Sequence, residues 1–147
     1  MNEGMKFTIR VENNSQLVIS ELEKATERAL YAIGVKAVEG SVDAISGRYD
    51  IDPAVDTGRL RASISFVTAN GEKGDSGAMS PPNAQAGDRL SGKAPKNSVI
   101  AGSNVEYAES VHNGTSKMAG RPFLREGIDK TKDKMREQVT KIFKGQL

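Results

Sequence analysis

Three short stretches carry residue types that could do chemistry. Gly87-Asp88-Arg89-Leu90-Ser91-Gly92-Lys93-Ala94 follows the spacing of a phosphate-binding loop, G-x-x-x-x-G-K-[ST]. In such loops backbone N–H groups and a lysine hold phosphates, and a terminal hydroxyl holds Mg²⁺. Here the last position is Ala94, which has no hydroxyl, and Pro95 opposes the helix such a loop must launch. Gly74-Asp75-Ser76-Gly77 matches the nucleophile segment of a two-barrel serine protease, a fold needing far more than 147 residues. The single histidine, His112, also follows that serine, whereas the protease order places it before. Asp50, Asp52 and Asp56 are close enough in sequence to share a hard cation. Their setting between helical segments suits turn and cap roles better. The expectation is a protein that is not an enzyme, with no catalytic, cofactor-binding or metal residues.

Composition narrows the classes further. The chain has no cysteine, so neither disulfides nor thiolate metal sites are available. Its net charge of +2 is too small to argue nucleic-acid binding by itself, and Trp is absent, which disfavours stacking platforms. No stretch approaches the roughly 20 apolar residues of a membrane span, and no signal-peptide core follows the N-terminus. No membrane partner is expected.

The elements that must position any site follow from periodicity. Phe7, Ile9 and Val11 alternate with Thr8, Arg10 and Glu12, which predicts a half-buried strand. From Ser15 to Ser46 the pattern is helical, with Val18, Leu22, Ala25, Ala29, Ile33, Ala37, Val42 and Ile45 as its stripe and Gly34 or Gly40 as the places to bend. Such a helix is about 45 Å long, longer than a small sheet can cover. Asp56 or Thr57 can cap a short helix facing inward through Leu60 and Ile64, with Arg59 and Arg61 directed elsewhere. Ile64 to Thr68 and Ser98 to Ser103 read as two further strands forming a hairpin. Between them, residues 70–97 hold five glycines, three prolines and little aliphatic surface beyond Leu90. That composition cannot offset ordering entropy by itself, so the stretch is expected to be a mobile loop. Pro122 to Lys144 predicts a second amphipathic helix with stripe Leu124, Ile128, Thr131, Met135, Val139 and Ile142, and with seven Lys/Arg against four Asp/Glu.

Ahead of that last helix lies an elbow. Tyr107, Ala108 and Val111 share one face of a single helical turn, Asn113-Gly114 is a turn signal, and Arg121-Pro122-Phe123-Leu124 is a helix start. Pro122 is expected at the first helical position, with Phe123 and Leu124 entering the core beside Tyr107 and Val111. The fold class expected is α+β: one domain over 1–147, a small antiparallel sheet packed against a long N-terminal and a C-terminal helix, with the long loop in a hairpin.

Two blocks taken together, Asp56-Thr57-Gly58-Arg59-Leu60-Arg61-Ala62-Ser63-Ile64 and Tyr107-Ala108 through Gly114-Thr115 to Arg121-Pro122-Phe123-Leu124, resemble the tail-completion, or head–tail joining, proteins of long-tailed bacteriophages and prophages. The resemblance implies a structural protein of the virion neck, assembled in the host cytoplasm. It implies a ring of identical subunits, a hexamer, at the head-proximal end of the tail. Its partners would be the tail tube and the neck or head-completion proteins, with DNA passing through the channel and not read for sequence. Tyr107, Val111, Gly114, Pro122, Phe123 and Leu124 would then be the structural elbow, and Arg59, Arg61, Arg121 and Arg125 the contacts to partners. The alternative from another class is a small nucleic-acid-binding module using the basic C-terminal helix. A carboxylate hydrolase built on Asp50, Asp52 and Asp56 is a third.

Overall fold

A computed structural model describes residues 4–10, 19–49, 58–77 and 83–145, with residues 19–22 described by their backbone alone. Four strands, β1 (Met5–Arg10), β2 (Ser65–Thr68), β3 (Lys73–Asp75) and β4 (Ser98–Ser103), form one antiparallel sheet in the order β1-β4-β2-β3. Two long helices, α1 (Ile19–Ile45) and α4 (Phe123–Gly145), and two short ones, α2 (Arg59–Ser63) and α3 (Ala108–Asn113), complete the α+β fold. The expected hairpin is present, since β2 pairs with β4 with Phe66 opposite Ala101. The segment between them adds β3, paired with β2 with Phe66 opposite Gly74.

Alternation in β1 decides which face is which. Met5, Phe7 and Ile9 pack against the core, and Lys6, Thr8 and Arg10 are exposed. On the core face Phe66 is buried between two glycines. A Cβ on Gly34 of α1 would lie 2.3 Å from its ring, and one on Gly74 of β3 equally close. The missing Cβ at Gly34 lets α1 lie directly on an aromatic ring.

α1 is packed on two sides, by the sheet and by α4. Where the helices cross, a Cβ on Gly40 would stand 2.3 Å from the Gly127 carbonyl oxygen, and one on Gly127 would stand 2.3 Å from the Ser41 nitrogen. The backbones thus touch. Two-sided packing explains why the buried set of α1 exceeds the single expected stripe. Leu30, Val38 and Ala44 are buried along with Ala25, Ala29, Ile33, Ala37 and Ile45, while Val42 is only half-buried. Val18 lies outside the described residues, and nothing is described of the Leu22 side chain. In α4 the expected stripe is buried at Leu124, Ile128, Thr131 and Met135 and half-buried at Val139 and Ile142.

On the opposite face, residues 88–94 lie over β2, while Lys6, Thr8 and Arg10 of β1 stay exposed. Leu90 donates its backbone N–H to Ser65 Oγ (2.8 Å), Ala94 donates its own to the Thr68 carbonyl (3.0 Å), and Leu90, Ala94 and Val67 are buried. The stretch expected as a mobile excursion thus supplies a strand and lays its second half on the sheet.

Candidate functional site

Among the described residues, Arg59 is a buried cation with four side-chain hydrogen bonds. Gly58 precedes it with φ 82°, a left-handed conformation natural to glycine, and the turn places Arg59 at the start of α2 with 6% exposure. Its Nε and Nη2 donate to Asp88 Oδ2 (3.0 Å) and Oδ1 (2.9 Å). Its Nη1 and Nη2 donate to Glu106 Oε1 (3.0 Å) and Oε2 (3.1 Å). The Tyr107 ring centroid lies 5.6 Å from the guanidinium carbon, within cation–π range. The planar fork of arginine matches two carboxylates at once, which a lysine cannot do. These hydrogen bonds hold the Arg59 proton more firmly than in a free arginine, Asp88 contributing most. The same bonds pull the Asp88 and Glu106 carboxyls below their ordinary values.

This clasp joins three segments far apart in sequence. Asp88 also accepts the Gln85 N–H, and its carbonyl accepts the Asn104 N–H. Arg89 donates to the Ala62 carbonyl and pairs with Asp75 at 3.3 Å. Beneath them Ser63 and Ser103 share a hydroxyl hydrogen bond of 2.6 Å, and Ser103 Oγ accepts the Val105 N–H. A shallow pocket lies beside the clasp, lined by Arg59, Ala62, Ser63, Gln85 and Arg89 among others. The arrangement holds two carboxylates deprotonated against a permanent cation, so it suits fastening and not proton transfer.

The elbow is the second constellation. Gly114 has φ 83°, and a Cβ there would meet the Gly120 nitrogen at 2.5 Å. The Arg121 N–H donates to the Val111 carbonyl (2.8 Å), bringing the chain back onto α3. Phe123 and Leu124 are fully buried, whereas Tyr107 and Val111 are half-buried at the margin of the core. The Pro122 carbonyl accepts the Glu126 N–H, so Pro122 is the N-cap and Phe123 the first helical residue, one position later than expected.

His112 lies at the centre of the elbow and is 1% exposed. Its ring sits between Phe7 (5.6 Å) and Phe123 (5.4 Å). Nε2 accepts the Arg125 backbone N–H (3.2 Å), one of the donors left unpaired at the start of α4. That assigns the proton to Nδ1, which donates to Asn113 Oδ1 (2.9 Å). Burial, partly opposed by the Asn113 bond, pushes the His112 pKa down, so the neutral ring is the native form.

Of the four arginines expected to touch partners, Arg59 is corrected. It is buried and bound to carboxylates of its own chain, because charge in a sequence does not say which carboxylate folds back to meet it. Arg61 and Arg121 are half-exposed and Arg125 is exposed. Arg121 Nη1 lies 3.9 Å from Met118 Sδ, a weak contact. Lys93 and Ala94 lead through a turn into β4 and not into a helix. Asp50, Asp52 and Asp56 lie outside the described residues, and among those described no group of His, Asp and Glu could hold a metal ion. Asp88, Glu106 and His112 were not read as functional. A signal existed for the first: Asp88 stands two residues from Leu90, the one large aliphatic of its stretch, where that stretch must touch the body.

Fold and site thus define an α+β protein with a buried arginine clasped by two carboxylates of its own chain. No protein-family model matches the chain, and no curated protein or solved structure matches it.

Proposed function

We propose that this protein is a structural component of the head–tail joining region of a long-tailed phage or prophage, forming a closed ring around the DNA channel. The observation that carries the reading is the meeting of the two blocks on which the resemblance rests. Arg59, in the first, is hydrogen-bonded to Glu106 and stacked near Tyr107, where the second begins. Two stretches separated in sequence are thus tied together through Arg59, which supports a structural role. The proposal includes the absence of catalysis, supported by the alanine and proline that replace the magnesium ligand and the helix start in the phosphate-loop-like stretch.

Ring closure needs heterologous contacts, two different surfaces meeting in rotation. The outer edges of β1 and β3, the exposed side of α1 with Tyr31 at 41% exposure, and the exposed part of residues 70–97 are the surfaces offered. Electron microscopy of the parent particle tests the reading. A ring of this subunit, sixfold, between tail tube and neck is expected; a single copy there, or a position elsewhere, overturns it. Free protein can remain monomeric if the ring forms only on its template.

A further inference from the structure

We infer that the end of the sheet carrying Arg10, Lys73, Lys93 and Lys96 is a non-specific binding site for the phosphate backbone of duplex DNA. Register places the four together. Arg10 pairs with Ser98, so it stands at the end of β1 beside the start of β4. Lys96 precedes that start, and the Pro95 carbonyl accepts the Ser98 N–H. Lys93 lays its side chain over Gly71, at 3.4 Å from where a Cβ would be, in the turn between β2 and β3. Lys73 opens β3 opposite Val67. Arg10 and Lys73 belong to the face turned away from α1, since Arg10 alternates with core-facing Ile9, and Lys73 pairs with the neighbour of core-facing Phe66. The row therefore crosses four strands, about 14 Å at the usual strand spacing.

All four side chains are exposed, and none joins a salt bridge among the described residues. Among the described residues one exposed anion, Glu72, interrupts the row, and Asn70 and Asn97 add exposed amide donors beside it. The contrast with α4 is informative. There Lys130, Lys132 and Arg136 pair with Glu126, Asp129 and Asp133 of the same helix, so much of its positive charge is already answered. Duplex DNA is favoured over an acidic protein because, among the described residues, the row exposes no large apolar or aromatic side chain. A stable protein interface needs such a core, whereas phosphate binding needs only free cations and released counterions. Nothing in the row reaches like a groove-reading helix, so contacts to phosphate, without base readout, are the expected kind.

The site goes beyond the ring reading and holds for the free subunit, so the two fail separately. The test is fluorescence anisotropy with a labelled random-sequence duplex at 50 and 200 mM salt. Four phosphate contacts predict a log–log salt slope of about −3.6, hence a loss on the order of 100-fold between the two. Lys73→Ala/Lys93→Ala/Lys96→Ala should bring the slope near −1, and each single variant should lower its magnitude by about 1. Lys132→Ala/Lys134→Ala/Lys141→Ala on α4 should leave it in place. Absence of binding at 50 mM, a slope insensitive to the sheet variants, or loss on the α4 variant overturns the site. Competition by poly-glutamate as strong as by unlabelled duplex at equal charge overturns it in favour of an acidic protein partner.

Discussion

Arg59 grips Asp88 through two parallel hydrogen bonds of 2.9 and 3.0 Å, across 29 positions of sequence. That one relationship changes what residues 83–97 are. Poor in apolar surface, they are held on the sheet by charge, with Leu90 as the small apolar plug beneath. Orphaning a buried charge outright costs about 3–5 kcal/mol; without Asp88 the buried Arg59 keeps only the exposed Glu106, so part of that cost is expected. Asp88→Ala should show that loss in urea unfolding, and hydrogen exchange should find the Leu90 and Ala94 amides protected in the wild type and released in the variant. Fast exchange of both amides in the free wild-type protein would show that the clasp does not hold the segment.

Acid should act in two steps. His112 is neutral when folded, with its pKa pushed by burial below the ordinary 6.5. Below pH 6.5 the unfolded chain therefore binds the proton first, and stability falls until the folded pKa is passed. The slope is at most about 1.4 kcal/mol per pH unit for one proton. Asp88 and Glu106, held below their ordinary values by Arg59, add stability at neutral pH that is lost only in the more acid range where the folded state takes up their protons. Urea midpoints measured from pH 7.5 to 3 should show both steps. His112→Gln should abolish the first alone; an unchanged first step in that variant would clear His112 of the role.

The backbone contact between Gly40 and Gly127 predicts a substitution whose sign opposes helix propensity. Alanine is the better helix former by about 1 kcal/mol. In Gly127→Ala, however, the new methyl falls 2.3 Å from the Ser41 nitrogen, and α1 and α4 must separate. Overpacking of this kind costs about 1–3 kcal/mol, so the variant should be less stable by thermal denaturation. Gly145→Ala, which meets nothing within 4 Å, is the control and should be neutral or slightly stabilising.

Phe123 and Arg121 separate folding from contact. Phe123 is fully buried against His112, and its truncation to alanine should cost about 3–5 kcal/mol, on the order of 10 °C in Tm for a chain of this size. Arg121 is half-exposed, and Arg121→Ala should melt close to the wild type. Loss of ring assembly in Arg121→Ala with unchanged melting would make Arg121 a direct contact. A Phe123→Ala protein as stable as the wild type would contradict the burial of its ring.

What could be read without coordinates were the features that repeat locally. The alternation of Phe7 to Arg10, the three- and four-residue steps of α1 and α4, the turn at Asn113-Gly114 and a helix start within one residue of Pro122 all depend on neighbours a few positions apart; Val11 and Glu12, at the end of the expected strand, lie outside the described residues. Periodicity records one buried face, so it missed Leu30, Val38 and Ala44, which are buried because α1 lies between a sheet and a second helix. The partners of Arg59, 29 and 47 positions away, and the sealing of His112 between Phe7 and Phe123 left no periodic trace. A charge or an imidazole is satisfied by whatever group the fold brings within 3 Å, and that distance exists only once sheet, helix and loop have closed on one another.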